Sequence, residues 1–205
     1  MSDVLSWIHV FHEGATDTPV VLTLHGTGAD EHDPIRLGQA LLPGAPVLSP
    51  RGRVSEQGMN RWFARKAEGI FDVDDVIGQA NDLAVFIPEA LEHYGLTGRP
   101  VVAVGFSNGA NMASALALLH PEVVNTVVAF SGMYPFGDQN PLGRVEGVRI
   151  FMANGDYDPM APLTSGDRLE SVATEHGASV TRFVRPGGHG ITQEEVSSAI
   201  EWLGL

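Results

Sequence analysis

The chain of 205 residues contains no cysteine. That excludes disulfides, a thiolate nucleophile and every cysteine-based metal site. Positive charge is scarce: 12 Lys and Arg stand against 25 Asp and Glu, a formal net charge of −13. Phosphate backbones and anionic lipid surfaces need a basic footprint, so neither nucleic acid nor a membrane is expected as a partner. No run of 18 apolar residues occurs, so no spanning helix is expected. The first residues, MSDVLSWIHVFHEG, lack the basic and apolar regions of a signal peptide, and the cytoplasm is the expected compartment. The length suits one domain, 1–205, big enough to fold without a metal or disulfide staple.

What is present is alternation. Apolar strand-like runs at 19–26, 45–52, 99–106, 123–132, 147–155 and 179–188 are separated by helical patterns at 33–42, 72–95, 108–120, 162–177 and 192–204. Residues 7–14 add an edge strand, and 53–71 show no period. The helix over 72–95 carries acids in its first turn and Gly95 as its stop, with a kink expected at Pro88. Near-continuous Val, Ile and Ala strands between helices predict an α/β fold: a mostly parallel central sheet of about 6–7 strands, helices on both faces and no lid domain. Ligands of such sheets sit beyond the carboxyl ends of the strands.

One such end carries Gly105-Phe106-Ser107-Asn108-Gly109, after strand VVAV and before helix NGANMASALALL. This is the context of a nucleophile elbow, a tight turn that exposes the serine hydroxyl and leaves no room for side chains two residues to either side. A serine nucleophile needs a base, normally a histidine steered by a carboxylate. Of the histidines after Ser107, His120 and His176 end helices, whereas His189 lies in Pro-Gly-Gly-His-Gly directly after a strand. The loop NGDYDPMAP offers Asp158, preferred because it opens the turn into the next helix, with Asp156 as competitor. The N–H of Asn108 at the helix start and that of Thr27 in Leu-His-Gly-Thr-Gly are the expected oxyanion donors. Asp30, Glu31, His32 and Asp33 beside His25 raise a metal site, but an acidic first helical turn is the simpler account, and no metal or cofactor is expected.

Together, LHGTGADE, GFSNGANMA, NGDYDPMAP and GGHGIT resemble the phospholipase/carboxylesterase group of α/β-hydrolases, related to acyl-protein thioesterases and dienelactone hydrolases. SPRGRVSEQGMNRWF with GHGIT is similar to a bacterial subgroup of small carboxylesterases. The resemblance spans about Val20 to Leu203 and implies Ser107, Asp158 and His189 as triad, with Thr27 and Asn108 as oxyanion donors. Asn108 stands where the acyl-protein thioesterases carry Gln, and the Gly-Gly-His-Gly setting of His189 also differs from theirs, which favours small esters over lipidated substrates; the likeness to the bacterial subgroup adds aromatic esters to these.

The expected partner is therefore a small-molecule ester, with a homodimer left open. Thioesterase or lysophospholipase action on longer chains is the rival activity, and a noncatalytic ligand binder the rival class. Loops 53–71 and 131–147 are the expected pocket walls, with Met59, Trp62, Phe63, Met133 and Met160 on the substrate and Tyr134 and Phe136 nearby; the alternative is that several of these pack beneath the loops as satellite core. Arg51, Arg53, Arg61, Arg65 and Lys66 gather 5 of the 12 basic residues into one loop. They present either a positive field favouring anionic substrates or a set of ion pairs with acids such as Asp72, Asp74 and Asp75.

Overall fold

The computed structural model describes Leu5 and residues 7–204; residues 1–4, Ser6 and Leu205, part of the N-terminal stretch read above among them, lie outside the described residues. In chain order the elements are β1 (His9–His12), β2 (Val20–Leu24), α1 (Ile35–Leu41), β3 (Val47–Pro50), β4 (Val54–Glu56), β5 (Met59–Arg61), β6 (Arg65–Ala67), β7 (Ile70–Phe71) and α2 (Val73–His93). There follow β8 (Val101–Phe106), α3 (Asn108–Leu119), β9 (Thr126–Phe130), β10 (Arg149–Gly155), α4 (Leu163–Glu175), β11 (Ser179–Arg185) and α5 (Gln193–Leu203).

Seven strands form one sheet in the order β1-β3-β2-β8-β9-β10-β11. Only β1 is antiparallel, paired with β3 as the edge strand expected over 7–14; the other neighbours run parallel. The period-2 pleat sorts the strand residues into two cores. Leu22 and Leu24 of β2, Ala103 of β8, Val127 of β9 and Met152 of β10 pack under α2, α3 and α4. Val21, Val102, Val104, Val128, Phe130 and Phe151 point the other way, under α1 and α5. Burial on both faces is why these strands read as unbroken apolar runs.

Helix α2 ends as its sequence predicts. Gly95 has φ +70°, its N–H donates to Glu92 O at 3.1 Å, and Leu96 N–H donates to Leu91 O at 2.7 Å, a Schellman motif. The helix is continuous through Pro88. Residues 53–71, which carry no readable period, form two antiparallel hairpins, β4–β5 and β6–β7. The chain steps outward from β2 to β3 on one side and from β8 to β11 on the other. Leu24 and Phe106 therefore end their strands at a topological switch point, where a crevice opens. Among the described residues no helix is long and apolar enough to cross a membrane.

Candidate active site

Ser107 follows β8 and precedes α3 with φ 55° and ψ −117°, a conformation that L-residues adopt only under constraint. Its own N–H is anchored on Phe130 O of the adjacent strand at 2.9 Å. The flanking glycines are required by contact. A Cβ on Gly105 would lie 2.5 Å from Ala110 N, and one on Gly109 would lie 2.6 Å from His25 O. Strand, elbow and helix are so close that only hydrogen fits at either position.

Two other loops converge on this serine. His189, between β11 and α5, holds its Nδ1 2.7 Å from Asp158 Oδ2. Asp158, in the loop after β10, is 4% exposed, and its other oxygen accepts the N–H groups of Met160 at 2.9 Å and Ala161 at 3.1 Å. The two backbone donors hold Oδ1 and leave Oδ2 to the imidazole. His189 Nε2 is buried and has no hydrogen-bond partner among the described residues. Asp156, the competing carboxylate, turns to the backbone instead and accepts Gly187 N–H at 2.9 Å.

The Thr27 loop and the first turn of α3 flank Ser107, and neither Thr27 N–H nor Asn108 N–H donates to any described residue. Both are held by the hairpin segment that the sequence left unassigned. Gly28 N–H donates to Asn60 O at 2.9 Å, Asn60 Nδ2 to Ala29 O at 2.9 Å, and Arg61 Nη1 to Thr27 Oγ1 at 3.0 Å. Trp62 N–H donates to Asn108 Oδ1 at 2.7 Å, and its indole N–H to His25 O at 2.8 Å. Asn60, Arg61 and Trp62 thus brace both sets of free donors. No local pattern announces them, because their partners lie 31 to 46 residues away.

Ser107 and Met160 lie on the walls of two cavities. The first, about 360 Å³, is mainly apolar, with Leu37, Phe106, Ile191 and His189 on its wall. The second, about 270 Å³, has Phe71, Met133, Asn111, Arg61 and Arg65. Met133 lines the second cavity, and Met160 lines both. Met59 lies against Gly28, beside the Thr27 loop, and lines neither cavity. Trp62 and Phe63 do not face substrate: both are 0% exposed, because the hairpins fold them into the core, where Trp62 stacks on Trp7 at 6.0 Å. Tyr134 and Phe136 are core residues too.

The basic loop is largely paired. Arg51 grips Glu31 with two hydrogen bonds of 2.5 and 2.7 Å, and Arg53 reaches Asp82 at 3.4 Å and covers the Trp7 ring. Lys66 meets Asp72 at 3.8 Å, whereas Asp75 accepts Ala64 N–H at 2.6 Å. Arg61 and Arg65 share Glu56 at 3.5 and 3.0 Å. Burial, then the repulsion of Arg65, pushes the Arg61 guanidinium below its ordinary value, with Glu56 opposing. The loop is therefore an ion-pair lattice more than a free positive field.

His25 belongs to the scaffold as well. Its Nε2 accepts Gly52 N–H at 2.9 Å, so the ring proton is on Nδ1, which donates to Gly26 O at 2.7 Å. Both nitrogens are committed, and no cluster of three metal-ligating side chains occurs among the described residues. Burial holds its pKa below the ordinary 6.5. The unfolded chain binds the proton more readily, so the stability His25 contributes is complete above pH 6.5 and is lost as pH falls below it, towards the depressed folded value. His25→Gln, which keeps an acceptor for Gly52 N–H, is expected to flatten this part of the stability profile. Urea midpoints between pH 5 and 8 check it.

The sheet order, the strained strand-to-helix turn and the strand-end loops that meet on it define an α/β-hydrolase. The family model described as Phospholipase/Carboxylesterase matches residues 7–205, and the chain belongs to that family. It is similar to MhqD of Bacillus subtilis (strain 168), named as a hydrolase, at 37% identity over 194 residues, 95% of this chain and 96% of that one. It also resembles the crystal structure of the Bacillus cereus carboxylesterase, with TM-score 0.91, 38% identity and coverage of 97% and 94%. Acyl-protein thioesterase 1 of Debaryomyces hansenii is 24% identical over 167 residues, 78% of this chain and 72% of that one. The protein is accordingly a carboxylic ester hydrolase.

Proposed function

We propose that the protein is a cytoplasmic serine carboxylesterase for small esters, with Ser107 as nucleophile, His189 as general base and Asp158 as its orienter. The supporting observation is the buried, unpartnered Nε2 of His189, whose Nδ1 is tied to Asp158 and whose ring shares a cavity wall with Ser107. Nε2 takes the proton of Ser107 as the hydroxyl attacks the acyl carbonyl. The tetrahedral oxyanion lies on the N–H groups of Thr27 and Asn108. Nε2 then returns the proton to the departing alcohol oxygen, and water, deprotonated in the same way, releases the acid and frees the serine.

The two cavities divide the substrate. The alcohol oxygen must reach Nε2 to be protonated, so the alcohol portion occupies the cavity walled by His189. Leu37, Phe106, Met160 and Ile191 suit an apolar or aromatic alcohol there. The acyl portion takes the other cavity, where Arg61, Arg65, Glu68 and Asn111 stand among the apolar groups and suit a short acyl group better than a long alkyl chain.

Labelling with a fluorophosphonate, followed by peptide mapping, is expected to place the adduct on Ser107. A panel of p-nitrophenyl esters from acetate to dodecanoate, with matched acyl thioesters, is expected to peak in kcat/KM at short acyl chains. An optimum at long chains or on thioesters would replace the small-ester reading with the thioesterase one. A wild-type protein that takes no label and hydrolyses no ester would leave a noncatalytic binder.

A further inference from the structure

The general base is mounted on Pro186-Gly187-Gly188-His189-Gly190, three glycines in five residues. Such a segment is a poor mount, since a displacement of about 1 Å at a reacting group costs on the order of 100-fold in rate. The structure places a guanidinium inside it. Arg185, the last residue of β11, is 9% exposed and turns back under the loop that it introduces. Its Nη2 donates to Gly188 O at 3.1 Å and to Gly190 O at 2.9 Å, the carbonyls on either side of His189. Its Nη1 donates to Pro186 O at 3.2 Å.

The loop is shaped to accept this. Gly187 has φ +129°, which favours glycine, and a Cβ there would come 2.5 Å from Arg185 Nη1, so a side chain at this position would displace the guanidinium. Gly187 O accepts Tyr157 N–H at 2.9 Å, which joins the His189 loop to the Asp158 loop. Ser131 Oγ donates to Gly190 O at 3.2 Å from the end of β9.

A buried guanidinium needs a counter-charge. Glu195, 0% exposed, sets Oε2 2.9 Å from Arg185 Nε, and the same oxygen accepts Thr192 N–H at 2.6 Å and Thr192 Oγ1 at 2.9 Å. Glu195 is also one half of the α5 capping box with Thr192. One carboxylate thus fastens the start of α5 to the guanidinium that holds the loop. The neutral pair supplies three hydrogen bonds to the loop without adding net charge beside the imidazolium that forms in turnover.

We propose that Arg185, balanced by Glu195, is the positioning residue for the general base: it fixes the backbone on both sides of His189 and so aims Nε2 at Ser107. This rests on the serine-esterase reading. Arg185→Met is expected to lower kcat for p-nitrophenyl acetate about 100-fold with KM within threefold. Arg185→Lys, which keeps the charge opposite Glu195 but lacks the planar fork, is expected to recover about tenfold of that loss. The downfield proton resonance of the His189–Asp158 hydrogen bond is expected to broaden or vanish in Arg185→Met and to return in Arg185→Lys.

The deciding comparison is made in a His189→Ala background. There Arg185→Met should change the residual rate less than twofold, because the residue acts only through the missing ring. A loss repeated in full without His189, or an Arg185→Met enzyme within threefold of wild type, overturns the proposal. If Arg185→Met does not fold, Arg185→Lys carries the same comparison, with a roughly tenfold loss expected only when His189 is present. Failure of the parent reading is separate: it shows as absence of fluorophosphonate labelling at Ser107 in the wild type.

Discussion

Ser107→Ala is expected to lose hydrolysis of p-nitrophenyl acetate by about 10⁴- to 10⁶-fold, the range seen when a triad nucleophile is removed and only binding and oxyanion donors remain. Those donors stay in place, because the elbow is built by neighbours and not by the hydroxyl. Ser107 N–H is fixed on Phe130 O, and Gly105 and Gly109 keep the close approach of strand and helix. A second substitution separates chemistry from fold. At φ 55° and ψ −117° any side chain is strained, at a cost on the order of 1–3 kcal/mol, and Ser107→Gly relieves it. Ser107→Gly should therefore be as inactive as Ser107→Ala yet melt a few degrees higher, about 2–4 °C per kcal/mol for a chain of this length. Measured together, rate and Tm test whether the turn stores strain for the sake of the hydroxyl. Residual activity near wild type in either variant would remove Ser107 from the mechanism.

How much of this was legible depends on whether a signal is local. Gly-Phe-Ser-Asn-Gly between an apolar strand and a small-residue helix carries its own geometry, and the loops with Asp158 and His189 follow strands that read plainly. The hairpins of 53–71 do not. Strands of two or three residues are too short for a period, and the β4–β5 turn uses Gln57 and Gly58, with φ 52° and 80°, where Asn-Gly would have marked a primed turn. With the hairpins missed, Trp62 and Phe63 read as loop aromatics facing a substrate, when the turn tucks them under the sheet end. The arginines raised a similar problem. A run of cations is visible in the sequence, but Glu31 and Asp82, the partners of Arg51 and Arg53, lie 20 and 29 residues away and only folding pairs them. Arg185 shows the same limit: a lone basic residue at a strand end gives no sign that it grips the loop after it.

Asp158→Asn is the second large effect, and the hydrogen bonds dictate its direction. Oδ1 accepts two backbone N–H groups, from Met160 and Ala161, while Oδ2 faces His189 Nδ1 at 2.7 Å. An asparagine in this seat has one oxygen and one NH₂. Turning the NH₂ towards Met160 and Ala161 would set donor against two donors at a buried position, so the oxygen stays there and the NH₂ turns to the imidazole. Nδ1 must then accept, which moves the ring proton to Nε2, the atom that has to receive the proton of Ser107. The ring remains in place in the wrong tautomer. The expected result is a fall of about 10⁴ in kcat, of the size known for this change in serine proteases, with the fold and KM little altered. Rate should recover partly at high pH, where hydroxide or a spontaneously ionised Ser107 removes the need for the base. A loss below about tenfold would show that Asp158 only shapes its turn, and would return the orienting role to another carboxylate, with Asp156 the first to test through Asp156→Asn.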